Sequence, residues 1–191
     1  MKNNVKIEEE KIVEKKVRAV IYNPNTGNIA IGFFNKTKTL ILPGGGIEED
    51  ELPLNALIRE VREETGITAK EINIKSTLCK IKSKKVNTYK TIITTFYLVE
   101  TFANFDESKM ELSTREIEGG YHPHWKEPRN IRDALKEIIK TIPKDKHQEL
   151  IKTNREYERF VRNAEETIEV LNKFLKYLKN LETQMPSCDE R

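Results

Sequence analysis

Three glutamates fall within five residues of this chain, shortly after a run of glycines. Glu60, Glu63 and Glu64 are spaced so that all three share one face of a helix. Like charges at this spacing destabilise a helix by about 0.2–0.5 kcal/mol for each pair. A divalent cation such as Mg²⁺ or Mn²⁺, which prefers oxygen ligands, would compensate that repulsion. Taken alone, this spacing suits an ordinary charged surface helix better than a metal site; the residues around it, described next, favour the metal site.

The residues around these glutamates predict a helix over residues 53–65. Pro53 suits a first helical position, and Gly66 suits the left-handed residue that follows a helix end. Arg59 precedes Glu63 by four residues and can hold its carboxylate with a charge-assisted hydrogen bond. A stripe at helical spacing should pack on a sheet, with the glutamates nearly opposite. It comprises Leu54, Leu57, Ile58, Val61 and Thr65.

The helix belongs to a longer pattern that includes the glycines. Gly45 is followed after five residues by Glu51, and seven residues later by REVREETGI at residues 59–67. This segment resembles, without a gap, the signature of the Nudix hydrolases, G-x5-E-x7-R-E-U-x-E-E-x-G-U, in which U is bulky and aliphatic. Many members have Gly where this chain has Asp50, a position that the signature leaves free. The order of predicted elements extends the resemblance to about residues 16–142.

The resemblance implies an enzyme that uses water to cleave the diphosphate bond of a nucleoside diphosphate linked to another group X. It also implies Mg²⁺ or Mn²⁺ as cofactor. Metal ions neutralise phosphate charge and lower the pKa of a bound water, whose proton a carboxylate can accept. Glycines without a Cβ let the backbone approach metal and phosphate. The implied metal ligands are Glu60, Glu63 and Glu64; the implied catalytic residues are these three with Arg59 and Glu118; the implied substrate-binding residues are Gly44, Gly45, Gly46 and Trp125.

Family members often take a further glutamate from a distant loop. The acidic segment 105–120 is the place to look here, with Glu118 as first choice and Glu116 as second. A solvated loop acid is the alternative for each. Trp125 either stacks on a base or closes the core. His122 and His124 have no further His or Cys at ligand spacing, so we interpret them as surface or pocket residues.

Two other functions compete with hydrolysis of a nucleotide-derived small molecule. A sensor would bind a nucleotide without cleaving it and recruit partners through its C-terminal helix, but such members usually lose signature glutamates, and this chain keeps them. An RNA 5′-end processing enzyme needs a basic channel, and lysines between Lys80 and Lys90 are the only hint of one. Those lysines also suit a solvated turn that protects a sheet edge. The sequence does not name the nucleotide.

The order of predicted strands and helices indicates an α+β or layered α/β/α fold. The resemblance implies a mixed central sheet, with the glutamate helix after the glycine-rich loop. Strands are predicted within residues 16–34, as a hairpin, and at 39–42, 71–81 and 88–102. Residues 105–120 are predicted to form an irregular loop, and residues 130–142 a second helix. We assign residues 1–142 to this domain.

Beyond residue 143 the pattern becomes that of a coiled coil. We assign residues 143–183 to a long amphipathic helix and 184–191 to a polar tail. We expect the helix to form a homodimer, with Asn154 biasing its register. The alternative is a helix that lies along its own domain, because such a stripe cannot stay exposed. The stripe comprises Leu150, Asn154, Tyr157, Val161, Ala164, Ile168, Leu171, Leu175 and Leu178.

The composition excludes several classes of protein. The chain has 191 residues and a net charge of +3, with the two signs interleaved, which argues against an obligate nucleic-acid binder. No apolar run approaches the roughly 20 residues of a membrane span, and the N-terminus lacks the apolar region of a secretory signal. Two cysteines, Cys79 and Cys188, indicate no disulfide framework. We expect a cytoplasmic protein without a membrane role.

Overall fold

A mixed sheet with helices on both faces forms the protein, as predicted. The computed structural model describes residues 12–184 except 87, 89 and 143. The strands are β1 Val13–Asn23, β2 Asn28–Phe34, β3 Thr39–Ile41, β4 Ile72–Lys84, β5 Thr91–Thr101 and β6 Tyr121–Lys126. The helices are α1 Pro53–Thr65, α2 Thr114–Gly119, α3 Pro128–Thr141, α4 Lys144–Thr153 and α5 Arg155–Gln184. Single 3₁₀ turns occur at Ala69–Glu71 and Glu107–Lys109.

Strands β1 and β2 form a hairpin only near their turn. They pair at Tyr22 with Ile29 and at Asn23 with Asn28, and then diverge. One edge of β1 pairs in parallel with β5 along almost its whole length. Its other edge pairs with the glycine-rich loop, because the Ala19 amide donates to the Pro43 carbonyl at 2.8 Å. The gap between β1 and β2 is thus the place where this loop lies.

Helix α1 has the predicted bounds, and three residues of its predicted stripe are fully buried: Leu57, Val61 and Thr65. Gly66 ends it with φ 72°, and its amide donates to the Arg62 carbonyl at 2.8 Å. Leu54, which we predicted to pack on the sheet, is 47% exposed. Glu60 and Glu64, which we predicted to face away, are buried. The prediction is wrong for Leu54 and for these two glutamates, which are buried because the glycine-rich loop and its neighbours cover them and offer hydrogen-bond partners.

The C-terminal segment forms two helices instead of one. Asn154 lies between α4 and α5, and its Oδ1 accepts hydrogen bonds from the amides of Glu156 and Tyr157, both at 3.0 Å. An asparagine in this position satisfies amides that have no partner within the helix, so it starts α5. The predicted role of Asn154 in a coiled-coil register is therefore wrong.

Helix α5 packs on the sheet of its own chain. Its apolar side chains share one core cluster with β1, β2, β5 and α3. The α5 members of that cluster are Ala164, Val170, Leu171 and Phe174. This is the alternative given in the sequence analysis, in which the C-terminal helix lies along its own domain. Because the stripe is used in the core, it cannot serve as the dimer seam that we predicted.

Two further predictions concern the remaining segments. Segment 105–120 is not wholly irregular, since it contains a 3₁₀ turn and the short helix α2. The polar tail that we assigned to 184–191, with Cys188, lies outside the described residues except for Gln184. Among the helices that the structure describes, none is long and apolar enough to cross a membrane.

Removing one large α5 side chain should destabilise the whole fold. Phe174 is fully buried, and its ring centroid lies 5.3 Å from that of Tyr22. We expect Phe174→Ala to lower the free energy of unfolding by about 3–5 kcal/mol, measured by urea denaturation. The control is Lys176→Ala, an exposed position on α5 that should change stability by less than about 0.5 kcal/mol. Equal stability of the two variants would contradict the packing of α5 in the core.

Candidate active site

The glycine-rich loop touches the carboxylates of α1 directly. Gly44 has φ 133°, a conformation that favours glycine, and its amide donates to Glu64 Oε2 at 2.9 Å. A Cβ on Gly45 would overlap the carboxylate of Glu60. A Cβ on Gly46 would meet nothing within 4 Å. Gly45 therefore allows the close approach of the loop to α1, and Gly44 allows its close approach to Val17 and Arg18 of β1.

Arg59 connects three carboxylates with the same loop. Its Nε and Nη2 donate to the two oxygens of Glu51 at 2.9 and 3.0 Å. Its Nη1 donates to Glu60 at 2.9 Å and to Glu63 at 3.1 Å, and Nη2 also reaches the Gly46 carbonyl at 2.9 Å. These hydrogen bonds from Arg59 lower the pKa of Glu51 to about 2. The bond to Glu51 raises the pKa of Arg59 in turn.

The carboxyl groups of Glu60 and Glu64 are buried, and their pKa values are raised. Burial is the main cause that raises the pKa of each, and the charge of Glu116 adds to it. The Tyr121 hydroxyl donates to Glu64 Oε2 at 3.3 Å. The pKa of Tyr121 is also raised, mainly by burial and then by the charge of Glu64. Burial of two like charges in one place favours any cation that can reach them.

Arg18 is a cation in this region that the sequence analysis missed. It is 7% exposed and donates through Nη1 to the carbonyls of Leu42 and Gly44. Its charge opposes the rise in the pKa of Glu64. The sequence feature that could have identified Arg18 is its place inside the apolar run VRAVIY of β1. An arginine in a buried strand needs hydrogen-bond or ionic partners, so it indicates a polar site nearby. Arg18 thus fixes the backbone of the glycine-rich loop against β1 through these two hydrogen bonds.

The donor set fits a hard divalent cation. Glu60, Glu63 and Glu64 present carboxylate oxygens within about one helical turn. Gly45, which lacks a Cβ, leaves room for the Glu60 carboxylate itself. As the side chains are placed, no three His, Cys, Asp or Glu residues of the described part enclose a metal position. Arg59 donates hydrogen bonds to one oxygen of Glu60 and one of Glu63. Those oxygens would have to release Arg59 in order to bind a metal ion.

Trp125 lies against a protein ring. Its indole stacks on Phe105 with a centroid distance of 4.7 Å and an angle of 9°. It also packs against the core cluster beneath α1. Its Nε1 is buried and finds no hydrogen-bond partner among the described residues. His122 and His124 are exposed on the same strand, β6. One face of Trp125 is therefore occupied by Phe105 and is closed to a base.

The two candidate loop glutamates lie on α2 and differ in their surroundings. Glu116 accepts hydrogen bonds from the amide and hydroxyl of Ser113, both at 2.8 Å, and its charge acts on Glu60 and Glu64. Glu118 instead lines a cavity of about 640 Å³. This α5 cavity lies between the β2–β3 turn, α2 and the start of α5. Glu116 is thus the acid that is electrostatically coupled to the α1 glutamates.

Comparison with known proteins agrees with this geometry. A family model described as NUDIX domain matches residues 14–143. An Ap4A hydrolase from C. elegans, solved as a binary complex, is 18% identical, with 87% of this chain and 98% of that chain covered and a TM-score of 0.56. A NUDIX hydrolase from Nitrosomonas europaea is 21% identical, with 63% and 76% covered and a TM-score of 0.51.

At these identities the likeness to solved structures concerns the fold. No curated protein sequence matches the chain. The family model nevertheless spans well over half of the residues, from β1 to the end of α3. This chain therefore belongs to the Nudix family.

Proposed function

We propose that this protein is a metal-dependent hydrolase that cleaves the diphosphate bond of a nucleoside diphosphate linked to a group X. The observation that carries the proposal is the contact between the buried carboxylates of α1 and the glycine-rich loop. Glu64 binds the Gly44 amide, and Gly45 leaves room for Glu60. A charge-rich surface helix would not need this arrangement, because water would solvate its carboxylates.

In this reaction the oxygen of a water bonds to one phosphorus while the bond from that phosphorus to the bridging oxygen breaks. Two phosphorylated products leave, and the water proton passes to a carboxylate. Mg²⁺ or Mn²⁺ held by Glu60, Glu63 and Glu64 would neutralise phosphoryl charge and lower the pKa of the attacking water. Arg59 orients Glu60 and Glu63 through its hydrogen bonds. Gly46, where a Cβ would meet nothing within 4 Å, leaves space for the diphosphate, whereas Gly44 and Gly45 bring the loop close to β1 and to Glu60.

The second candidate function is that of a nucleotide sensor, which would bind a nucleotide with the same fold but not hydrolyse it. The intact set of Glu60, Glu63 and Glu64 and the ordered Arg59 contacts favour the hydrolase, since a sensor has no use for them. For RNA 5′-end processing, Lys80, Lys82 and Lys84 lie exposed on β4, an edge strand of the sheet. Their position suits protection of that edge, so we retain a small nucleotide derivative as the substrate class.

Removing one carboxylate should abolish turnover without unfolding the protein. Glu63 is partly exposed, so Glu63→Gln should fold normally and lower kcat by about 100-fold or more. The assay separates and quantifies the two phosphorylated products by chromatography, with Mg²⁺ and a nucleotide panel that includes Ap4A. The control is Glu165→Gln, an exposed glutamate on α5. Lack of Glu63-dependent turnover on every compound would favour the sensor.

The two neighbouring glycines should respond differently to the same substitution. Gly45→Ala places a Cβ against the Glu60 carboxylate, whereas Gly46→Ala meets nothing within 4 Å. We expect Gly45→Ala to weaken the apparent Mg²⁺ affinity by about tenfold or more, and Gly46→Ala to have a clearly smaller effect. Titration of activity with Mg²⁺ measures both. Equal effects would contradict the proposed role of Gly45.

The distal acid can be identified by comparing two conservative variants. Glu118 remains the prediction from the sequence, and the electrostatic coupling of Glu116 to Glu60 and Glu64 favours Glu116. We expect Glu116→Gln to lower kcat by about tenfold or more and Glu118→Gln to affect mainly KM, because Glu118 lines the α5 cavity. The opposite pattern in steady-state kinetics would restore Glu118 as the catalytic acid.

A further inference from the structure

Helix α5 forms a wall of the α5 cavity with residues that lie outside the family match. The match ends at residue 143, and α5 begins at Arg155. Tyr157, Arg159, Phe160 and Asn163 of α5 line the cavity. Phe34, Lys36 and Leu40 face them from β2, β3 and the turn between them, and Arg115 faces them from α2. The wall thus combines aromatic rings, an amide and cationic side chains, which is the chemistry that suits a nucleotide.

Two arginines, Arg115 on α2 and Arg159 on α5, line this cavity together. Burial is the main cause that lowers the pKa of Arg159; the charges of Arg115 and Arg162 lower it further, and those of Glu158 and Glu156 oppose this shift. Glu158, next to Arg159 in the chain, pairs with Arg162 at 3.1 Å instead. Within the described residues, no ion pair joins Arg159 or Arg115 to an acid, although Glu118 and Glu156 also line the cavity. The two arginines therefore leave a position that an anion would satisfy.

The α5 cavity adjoins the candidate active site through Phe34 and Tyr121. Arg159 and Arg162 both act on the half-buried Lys16, whose pKa burial and neighbouring cations lower to about 8. Lys16 pairs with Gly46 through the backbone. Phe34, which lines the cavity, has its ring centroid 5.2 Å from that of Tyr121, whose hydroxyl donates to Glu64 Oε2, and none of the three α1 glutamates lines the cavity itself. An anion at Arg159 would therefore lie beyond the diphosphate bound at the α1 glutamates.

We propose that Arg159 binds a phosphate group of the substrate beyond the scissile diphosphate, with the attached nucleoside in the α5 cavity. This inference rests on the proposed function for the position of the scissile bond. It assigns the substrate class as a nucleotide whose group X is itself phosphorylated, in preference to a nucleotide linked to a neutral sugar. Carboxylates of Glu118 and Glu156 and the amide of Asn163 would accept or donate hydrogen bonds to base and ribose. Arg159 is thus a specificity-determining residue that α5 contributes.

The kinetic test compares two substrates that share adenosine and differ in X. These are diadenosine tetraphosphate, whose X carries phosphate, and ADP-glucose, whose X is neutral. We expect Arg159→Ala to raise KM for the tetraphosphate by about tenfold or more, since a charge-assisted hydrogen bond is lost. The KM for ADP-glucose should change less than about threefold, and Arg159→Lys should recover part of the loss. Equal effects on both substrates would overturn the proposal.

A binding test separates this inference from the proposed function. Tripolyphosphate is titrated calorimetrically into the full chain in EDTA, where metal-dependent turnover cannot occur. We expect Arg159→Ala to weaken binding by about tenfold or more, and the control Lys176→Ala, exposed on the same helix, to behave as wild type. A matching loss in a protein without hydrolase activity would refute the function and keep the anion site. Unaltered binding by Arg159→Ala in an active enzyme would refute the anion site alone, with thermal unfolding as the check that the variant is folded.

Discussion

The arrangement of Arg59 among its carboxylates is the constraint on which the rest of the site depends. One planar guanidinium reaches Glu51, Glu60, Glu63 and the carbonyl of Gly46. A lysine could not do this, because a single ammonium group lacks the fixed fork of donors. The contacts tie the helix, the loop before it and the glycine-rich loop into one unit. Repulsion among the glutamates is therefore already reduced by the chain itself before any metal ion binds.

Glu64 is the carboxylate that Arg59 does not reach. Its partners come from three other parts of the chain: the Gly44 amide, the Tyr121 hydroxyl and the charge of Arg18. Arg18 also holds the carbonyls of Leu42 and Gly44, so β1 determines where the glycine-rich loop lies. The divergence of β1 and β2 is thus part of the site, because it gives that loop a strand edge to pair with.

The C-terminal helix has two tasks in the structure. Leu171 and Phe174 complete the core on one face of the sheet. Nearer its start, Arg159 lines the α5 cavity, and Arg162 pairs with the buried Glu158. A segment outside the family match therefore contributes both to folding and to the surface next to the candidate active site. Because the core fixes the helix, the position of its polar residues toward the cavity is fixed as well.

The sequence by itself determined what local spacing can determine. The bounds of α1, the family and the grouping of Glu60, Glu63 and Glu64 followed from residues close together in the chain. Only the tertiary structure decided that Glu60 and Glu64 are buried, that Asn154 interrupts the last helix and that the C-terminal stripe packs on its own sheet. The physical reason is that an apolar stripe or a buried charge requires a partner, and the sequence does not state which distant segment supplies it.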